Sequence, residues 1–562
     1  MNVSKEIWAY RILFVLAGIV YLIGLSTNIM GPDAGEYAEI SKDMNASGSY
    51  LEVYSQGRDY LDKPPLHFWL SAASFKLFGL SNFAYRLPSF LLTILGAYST
   101  FKLGSLLYSK KVGRLAALML FTCIAFFMFN VDVRTDTVLV GATTFSAWQI
   151  IAYHRTKKWT HLIFGFIGAG FAMMAKGPMG LMIPALAVGT EILVNRDWKS
   201  LFDWKWLVGL SIAIITLIPM LYGLYHQWDL HPEKTLYGAS NVSGVKFFFW
   251  DQSFGRLTGD NPFVQQSSEV QINDPTFFIH TLLWAFIPWS IVGFSALYKR
   301  IKQLIVGRFK TGSLPEAYTV GAIILPIVAL SFSAFKLPHY IFITLPFLAI
   351  IGAHFFLEKE IRLKWIRWVQ FSIGLVILAV GGLVIFTVFP TSSPVPYVAL
   401  TVILSCTIML AIGKADQLKI IVFSSMAVIF LNLILNSHFY TNLGEYDSGA
   451  KAGNIIVKQK HNGTVYSYDS RSSNSFTTLS WSLPFYGRGN HEILTNKWDV
   501  RELIGTDTYI YTSEEDLQFF IDQEWAKEII EFDHFSVTNL TLDFLNSETR
   551  NSVTSKKYLV LL

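Results

Sequence analysis

Two cysteines, Cys123 and Cys406, are the whole thiol content of 562 residues. Both lie inside apolar runs, which excludes a disulfide framework and a thiolate metal cluster and leaves them as packing residues. Charge is scarce too. Asp, Glu, Lys and Arg make up 15% of the chain, against about 25% in an ordinary soluble domain, so a freely soluble globular protein is not expected. No dinucleotide or Walker-type glycine loop is present, which argues against nucleotide chemistry, and there is no internal repeat or low-complexity tract. The net charge of +5 does not signal nucleic acid, because the basic residues sit in short clusters between apolar runs.

Apolar residues are abundant, at 52% with a mean hydropathy of +0.41. Runs of about 17 to 25 residues, enough to cross roughly 30 Å of hydrocarbon, recur near 8–28, 85–106, 113–130, 133–153, 161–176, 178–194 and 205–225. Six more follow near 276–297, 316–335, 337–357, 366–388, 396–413 and 418–437. The expected fold is a mainly α-helical polytopic membrane protein with about thirteen transmembrane helices. Lys5 and Arg11 precede or enter the first run and no small-residue cleavage site follows it, so it reads as a retained helix. The lysines and arginines of the short loops, such as Lys110, Lys111 and Arg114 or Lys299, Arg300 and Lys302, collect on the side of the N-terminus. By the positive-inside rule that side is cytoplasmic.

The opposite side receives the loops 29–84 and 226–275, three short turns and everything from His438 onward. There the long apolar runs stop, and Gly463–Tyr468 and Thr508–Thr512 alternate like strands. Residues 1–437 thus read as a membrane domain and 438–562 as a small α/β domain outside the membrane.

Charges near lipid are costly without a partner or a task, and Asp33, Arg134, Asp136, Lys176 and Lys336 stand at outward helix ends. Each has a bland reading: Asp33 as a helix cap, Arg134 and Asp136 as a pair across one helix end, Lys176 as a snorkelling lysine. What outweighs these readings is convergence, because Asp33, Asp62, Lys63, Arg134, Asp136, Arg256, Lys336, His339 and Tyr340 come from separate segments to one membrane face. Carboxylates there can take a proton from a hydroxyl nucleophile, while lysine and arginine hold a phosphate and offset the charge on a departing phosphate oxygen. No ATP accumulates outside the cytoplasmic membrane, so the activated donor would be a membrane-embedded lipid phosphate. Asp62, His67 and His339 could alternatively hold a divalent metal ion, although no His-x-x-His spacing supports it. A polytopic transporter is the rival from another class, but transporters place polar sites near the midplane within inverted repeats. A non-catalytic membrane sensor would not need Asp33, Lys63 and Arg256 to act together.

Pro32-Asp33, Tyr37-Ala38-Glu39-Ile40, Tyr60-Leu61-Asp62-Lys63-Pro64-Pro65-Leu66-His67-Phe68-Trp69, Phe78-Gly79 and Arg86-Leu87-Pro88-Ser89 occur in that order. They are followed by Arg134-Thr135-Asp136, Ala175-Lys176-Gly177-Pro178, Phe254-Gly255-Arg256 and Lys336-Leu337-Pro338-His339-Tyr340. In these motifs the chain resembles the polyprenyl-phosphate-dependent GT-C glycosyltransferases, in particular the bacterial aminoarabinose lipid A transferases and the dolichyl-phosphate-mannose protein mannosyltransferases. The resemblance implies Asp33 as catalytic carboxylate and Asp136 as a second acid of the same cavity. It implies that Lys63 and Arg256 grip the donor phosphate, with Tyr60, Tyr340 and Lys336 beside them; Asp62, Glu36 and His339, by their own chemistry and place, are further candidates to contact substrate or a metal. It further implies a lipid-linked sugar donor, a glycolipid or protein acceptor, and a place in the bacterial inner membrane with a periplasmic C-terminal domain. The sequence departs from the family where Ala34 stands for a common glutamate, Glu36 for a common arginine and Asp62 for a glutamate. Ser253 occupies the place of a metal-binding histidine found in some relatives, so no metal site of that type is expected. Glu36 either recognises a cationic or hydroxylated substrate group or caps and solvates a helix.

Overall fold

The computed structural model describes residues 3–236, 238–255, 274–333, 335–358, 363–412, 416–459, 463–470, 479–537 and 540–562. Every one of the thirteen apolar segments contains helix. Among the described residues, however, seven helices are long and apolar enough to cross a membrane, and the pair Lys110–Phe121 and Ile124–Val131, bent by 50°, would make an eighth. The shortfall has physical causes. The segment near 276–297 breaks into Phe277–Ala285 and Ser290–Val306, and Tyr318–Ser331 has only 14 residues. Thr135–Thr156 is long enough, but it is rich in threonine and largely buried among neighbouring helices rather than turned to lipid. A hydropathy profile joins or counts such segments as spans because it reads composition and not continuity.

Small residues set the spacing where backbones meet, as membrane helices require. A side chain at Gly141 would come within 2.4 Å of the Leu92 carbonyl oxygen, so Thr135–Thr156 lies directly on Asn82–Leu107. One buried cation ties several segments together. Arg86, fully buried, donates from Nε to the Val131 carbonyl at 2.9 Å, and from its other two nitrogens to the carbonyls of Thr27 at 2.6 Å and Asn28 at 2.8 Å. The planar fork of a guanidinium suits such divergent acceptors. It fixes the chain just before Asp33 against the chain just before Arg134.

The C-terminal part forms a five-stranded mixed sheet in the order His491–Leu494, Val465–Tyr468, Tyr509–Ser513, Ser555–Leu561, Glu528–His534. The first three strands run parallel to one another, and Ser555–Leu561 is antiparallel to both of its neighbours, Tyr509–Ser513 and Glu528–His534. Alternation along each strand sends side chains to opposite faces: Tyr509, Tyr511 and Leu559 join Ala452 and Ile456 of the helix Ser448–Lys458, while Ile510, Tyr558 and Val560 join Phe520 of the helix Glu514–Asp522.

This sheet domain is fastened to the helix Pro32–Ser47. Phe485 packs with Phe75 and Tyr85 at ring distances of 5.9 and 6.5 Å. The buried Lys42 ammonium donates to the carbonyls of Pro484 at 2.8 Å and Gly489 at 2.9 Å. A Cβ at Gly35 would lie 2.6 Å from the Trp481 carbonyl oxygen, so only glycine lets the two approach this closely.

Candidate active site

Asp33 sits in the first turn of Pro32–Ser47, where a proline fits the opening helical position and an acid complements the positive end of the helix dipole. Its carboxylate does not cap the helix. It pairs instead with the guanidinium of Arg134, whose Nε also donates to Asp132 at 2.9 Å. Arg134 is the N-cap residue of Thr135–Thr156.

Asp136, 1% exposed in the first turn of Thr135–Thr156, turns away from Arg134 and accepts two hydrogen bonds from Lys176 Nζ, at 2.6 and 2.7 Å. The pair expected across one helix end is therefore replaced by two pairs that each join distant segments. The His339 Nε2 lies 3.5 Å from the same carboxylate. Lys176 ends the helix Trp159–Lys176, where a cation is favoured by the dipole, and its Nζ stands 4.0 Å from the centroid of the buried Tyr340 ring. That distance suits a cation–π contact.

Lys63 pairs with its neighbour Asp62, and Gln252 Nε2 donates to the Asp62 backbone carbonyl at 2.5 Å and to its carboxylate at 3.1 Å. Lys63, Lys176 and Tyr340 line a cavity of about 360 Å³ whose remaining wall is mostly apolar. Met179, Leu181, Met182 and Ala185 of Met179–Asn195 form one side, and Ala329 and Leu330 of Tyr318–Ser331 the other. A polar end that presents two lysines, each paired with a carboxylate, joined to an apolar groove between two helices has the shape of an amphiphile with a polar head.

Glu36, one turn beyond Asp33, is half-buried and receives the Ser55 hydroxyl at 3.3 Å. Burial raises its pKa to about 8, helped by the carboxylate of Asp62 and, more weakly, of Asp33, while Lys63 opposes the rise. Its carboxyl is thus half-buried rather than freely solvated. Because the folded form holds this proton between the ordinary carboxylate range and about pH 8 while the unfolded chain does not, its contribution to stability falls as pH rises through that window. Glu36→Gln, which keeps a neutral side chain at every pH, should raise the thermal midpoint of the purified protein at pH 8.5 and leave it within a degree or two at pH 5. Equal shifts at both pH values would refute this assignment.

Of the other residues singled out from sequence, Tyr60 and Lys336 are not on the cavity wall: Tyr60 stands edge-on to Phe68 at 5.9 Å, and Lys336 is buried. Arg256 lies outside the described residues. His67 is fully buried, 3.4 Å by Nε2 from the Tyr85 hydroxyl, and burial lowers its pKa to about 4. Among the described residues no group of three or more His, Cys, Asp or Glu side chains could hold a metal ion, so the reading of Asp62, His67 and His339 as joint ligands gains no support. Sequence reasoning left Lys176 undecided and overlooked Gln252. The signal for Lys176 was its position in Ala175-Lys176-Gly177-Pro178; for Gln252 there was none.

Residues 62–222 match the model of the dolichyl-phosphate-mannose-protein mannosyltransferase family. Over 358 residues, 62% of this chain, the sequence is 28% identical to the undecaprenyl phosphate-alpha-4-amino-4-deoxy-L-arabinose arabinosyl transferase of Edwardsiella ictaluri, and over 396 residues, 68% of this chain, it is 24% identical to that of Serratia proteamaculans. The chain spans 59% and 65% of the length of these relatives. In fold it is similar to ArnT from Cupriavidus metallidurans bound to undecaprenyl phosphate, with a TM-score of 0.71 over 98% of this chain and 97% of that one at 18% identity. In its membrane-part motifs and in a fold shared over nearly its whole length, the chain resembles the polyprenyl-phosphate-dependent GT-C glycosyltransferases.

Proposed function

We propose that this chain moves a sugar from a polyprenyl-phosphate donor to a hydroxyl of a lipid A-like glycolipid on the outer face of the bacterial inner membrane. The observation that carries this reading is the cavity that joins Lys63, Lys176 and Tyr340 to the apolar groove between Met179–Asn195 and Tyr318–Ser331. The polyprenyl tail occupies the groove and the phosphate meets the lysines. Asp33 takes the proton of the acceptor hydroxyl as its oxygen bonds to the anomeric carbon. The bond from that carbon to the phosphate oxygen breaks with its electron pair leaving on polyprenyl phosphate, and the sugar's configuration inverts. Lys63 and Lys176 offset the charge that grows on the departing oxygen, with Arg256 as a further phosphate contact. Asp136, buried and doubly bonded to Lys176, is better fitted to fix that lysine than to reach a substrate hydroxyl. In this orientation the N-terminus is cytoplasmic and the sheet domain periplasmic. A protein hydroxyl as acceptor is the second reading, which the family match over 62–222 favours.

The donor half of the reading is tested by binding. Undecaprenyl phosphate should raise the thermal midpoint of the detergent-purified protein, and Lys63→Ala should weaken that binding by about 10- to 100-fold, the loss of one charge-assisted hydrogen bond. An unchanged affinity would remove Lys63 from the phosphate site. Mass spectrometry of surface lipids and proteins, with and without the chain, separates the two acceptors by which class loses a sugar mass.

A further inference from the structure

The sheet domain is held from both edges. Near the His491–Leu494 edge, Trp481, Pro484 and Gly489 meet the helix Pro32–Ser47. At the opposite edge the strand Glu528–His534 runs directly into Phe535, whose backbone N–H donates to the Tyr446 carbonyl at 3.0 Å. Tyr446 is the last residue of the membrane-length helical segment Gln417–Tyr446.

Beyond that strand the chain leaves the sheet and enters the membrane part. Phe535 and Phe544 stack at 3.8 Å, and both belong to the apolar core that contains Val388, Phe389 and Phe439 rather than to either core of the sheet domain. Buried Arg550 fixes them there. Its Nε donates to the Phe544 carbonyl at 2.8 Å, a second nitrogen donates to the carbonyl of Val388, and the guanidinium stands 4.3 Å from the centroid of the Phe389 ring. Val388 is the last residue of the membrane-length segment Leu363–Val388. Residues 540–553 are therefore pinned at the level where that span ends.

The local sequence decides which side chains face outward at this level. The Thr541 hydroxyl caps the turn Leu542–Leu545, which buries Phe544 and leaves Leu542 85% exposed, with Leu540 beside it 42% exposed. A lone exposed leucine on a soluble surface needs no explanation. Here, however, Phe386 and Val395, on either side of Phe389 in the chain, are apolar and exposed as well, as lipid-facing positions are. Charge gives no competing reason for the exposure: within 540–553 the exposed charges are Asp543 and Glu548, and the one cation, Arg550, is buried.

We infer that residues 540–553 form an interfacial membrane anchor, with Leu540 and Leu542 inserted among the acyl chains of the leaflet on the side of the sheet domain. The partner is the hydrocarbon and not an anionic headgroup, because the segment presents no exposed cation to a phosphate, so its seating depends on apolar area alone. The sheet domain thus rests on the bilayer at the edge opposite the one that beds the helix of Asp33. This inference is independent of the sugar chemistry.

The test uses the full chain in nanodiscs of phosphatidylcholine, a lipid without net charge. With Cys123 and Cys406 replaced by alanine, a nitroxide on Leu542→Cys should favour collision with oxygen over a water-soluble nickel chelate at least fivefold more than one on Glu502→Cys, exposed in the sheet domain. It should match a nitroxide on Phe386→Cys. In the chain with its own cysteines, Leu542→Ser should raise amide hydrogen exchange across 540–553 several-fold, although the leucine it removes is exposed to nearly its full extent. A Leu542 label that behaves like the Glu502 label, or exchange unchanged by Leu542→Ser, overturns the inference. So does a Leu542 label shielded from both reagents with spin–spin broadening between copies, which would reveal a protein partner instead of lipid.

Discussion

Asp33→Asn should lower sugar transfer by about 10²- to 10⁴-fold, the range attributable to a positioned general base, while undecaprenyl phosphate binds with nearly unchanged affinity. The substitution conserves volume and leaves the second anchor of Arg134, its bond to Asp132 at 2.9 Å, in place. What disappears is a carboxylate able to receive the acceptor's proton. Asp33 is suited to that task because it is half-buried and 39% exposed at its side chain, so a hydroxyl can reach it, whereas the side chain of Asp136 is 2% exposed and engaged by Lys176. Transfer measured by mass spectrometry of the product lipid, beside donor binding measured separately, divides the effect between chemistry and affinity. Turnover within threefold of the unmodified enzyme would assign the base to another group.

Arg86→Leu is expected to cause the largest loss of stability. Its guanidinium is fully buried and serves carbonyls from two segments, and removing it strands acceptors that each cost about 1–3 kcal/mol when left unpaired in a dry interior. With some relaxation the total should be about 3–5 kcal/mol. Thermal unfolding in detergent would show a marked fall in midpoint. Arg86→Lys should recover only part of it, because a single ammonium cannot span the Val131 carbonyl and those of Thr27 and Asn28 together. Activity should fall further than folding alone explains, since the same residue sets Asp33 against Arg134. A midpoint within two degrees of the unmodified protein would show that water or neighbouring groups satisfy these carbonyls.

Much of the site was legible because membranes make polar residues expensive. Asp33 and Asp136 stood out at outward helix ends for that reason, and each is paired with a cation from a distant segment. Pairing was less legible. Arg134 and Asp136 are two residues apart at a helix start and so point to different faces, which is why each finds a partner from elsewhere: Asp33 for the first, Lys176 for the second. A lone lysine at a helix end is equally consistent with snorkelling and with function, and the buried carboxylate opposite Lys176 argues against snorkelling. The same limit applied to span counting, where hydropathy followed the apolar stretch through the break between Phe277–Ala285 and Ser290–Val306. Two strands of the C-terminal sheet were visible from alternation, Val465–Tyr468 and Tyr509–Ser513. The polar edge strands were not.

The contact of Gly35 with Trp481, and the buried Lys42 capped by two carbonyls of the sheet domain, bear on how this protein can be recombined. The helix that carries Asp33 has one flank belonging to the membrane part and one belonging to the C-terminal part. Swapping the sheet domain for that of a relative would therefore transplant half of the bed on which the helix of Asp33 rests. Such a chimera would be active only where the donor supplies a matching backbone at 481–489 for a glycine and a buried ammonium to dock against, so residues 35 and 42 and the segment 481–489 form a single heritable unit despite the more than 400 residues between them.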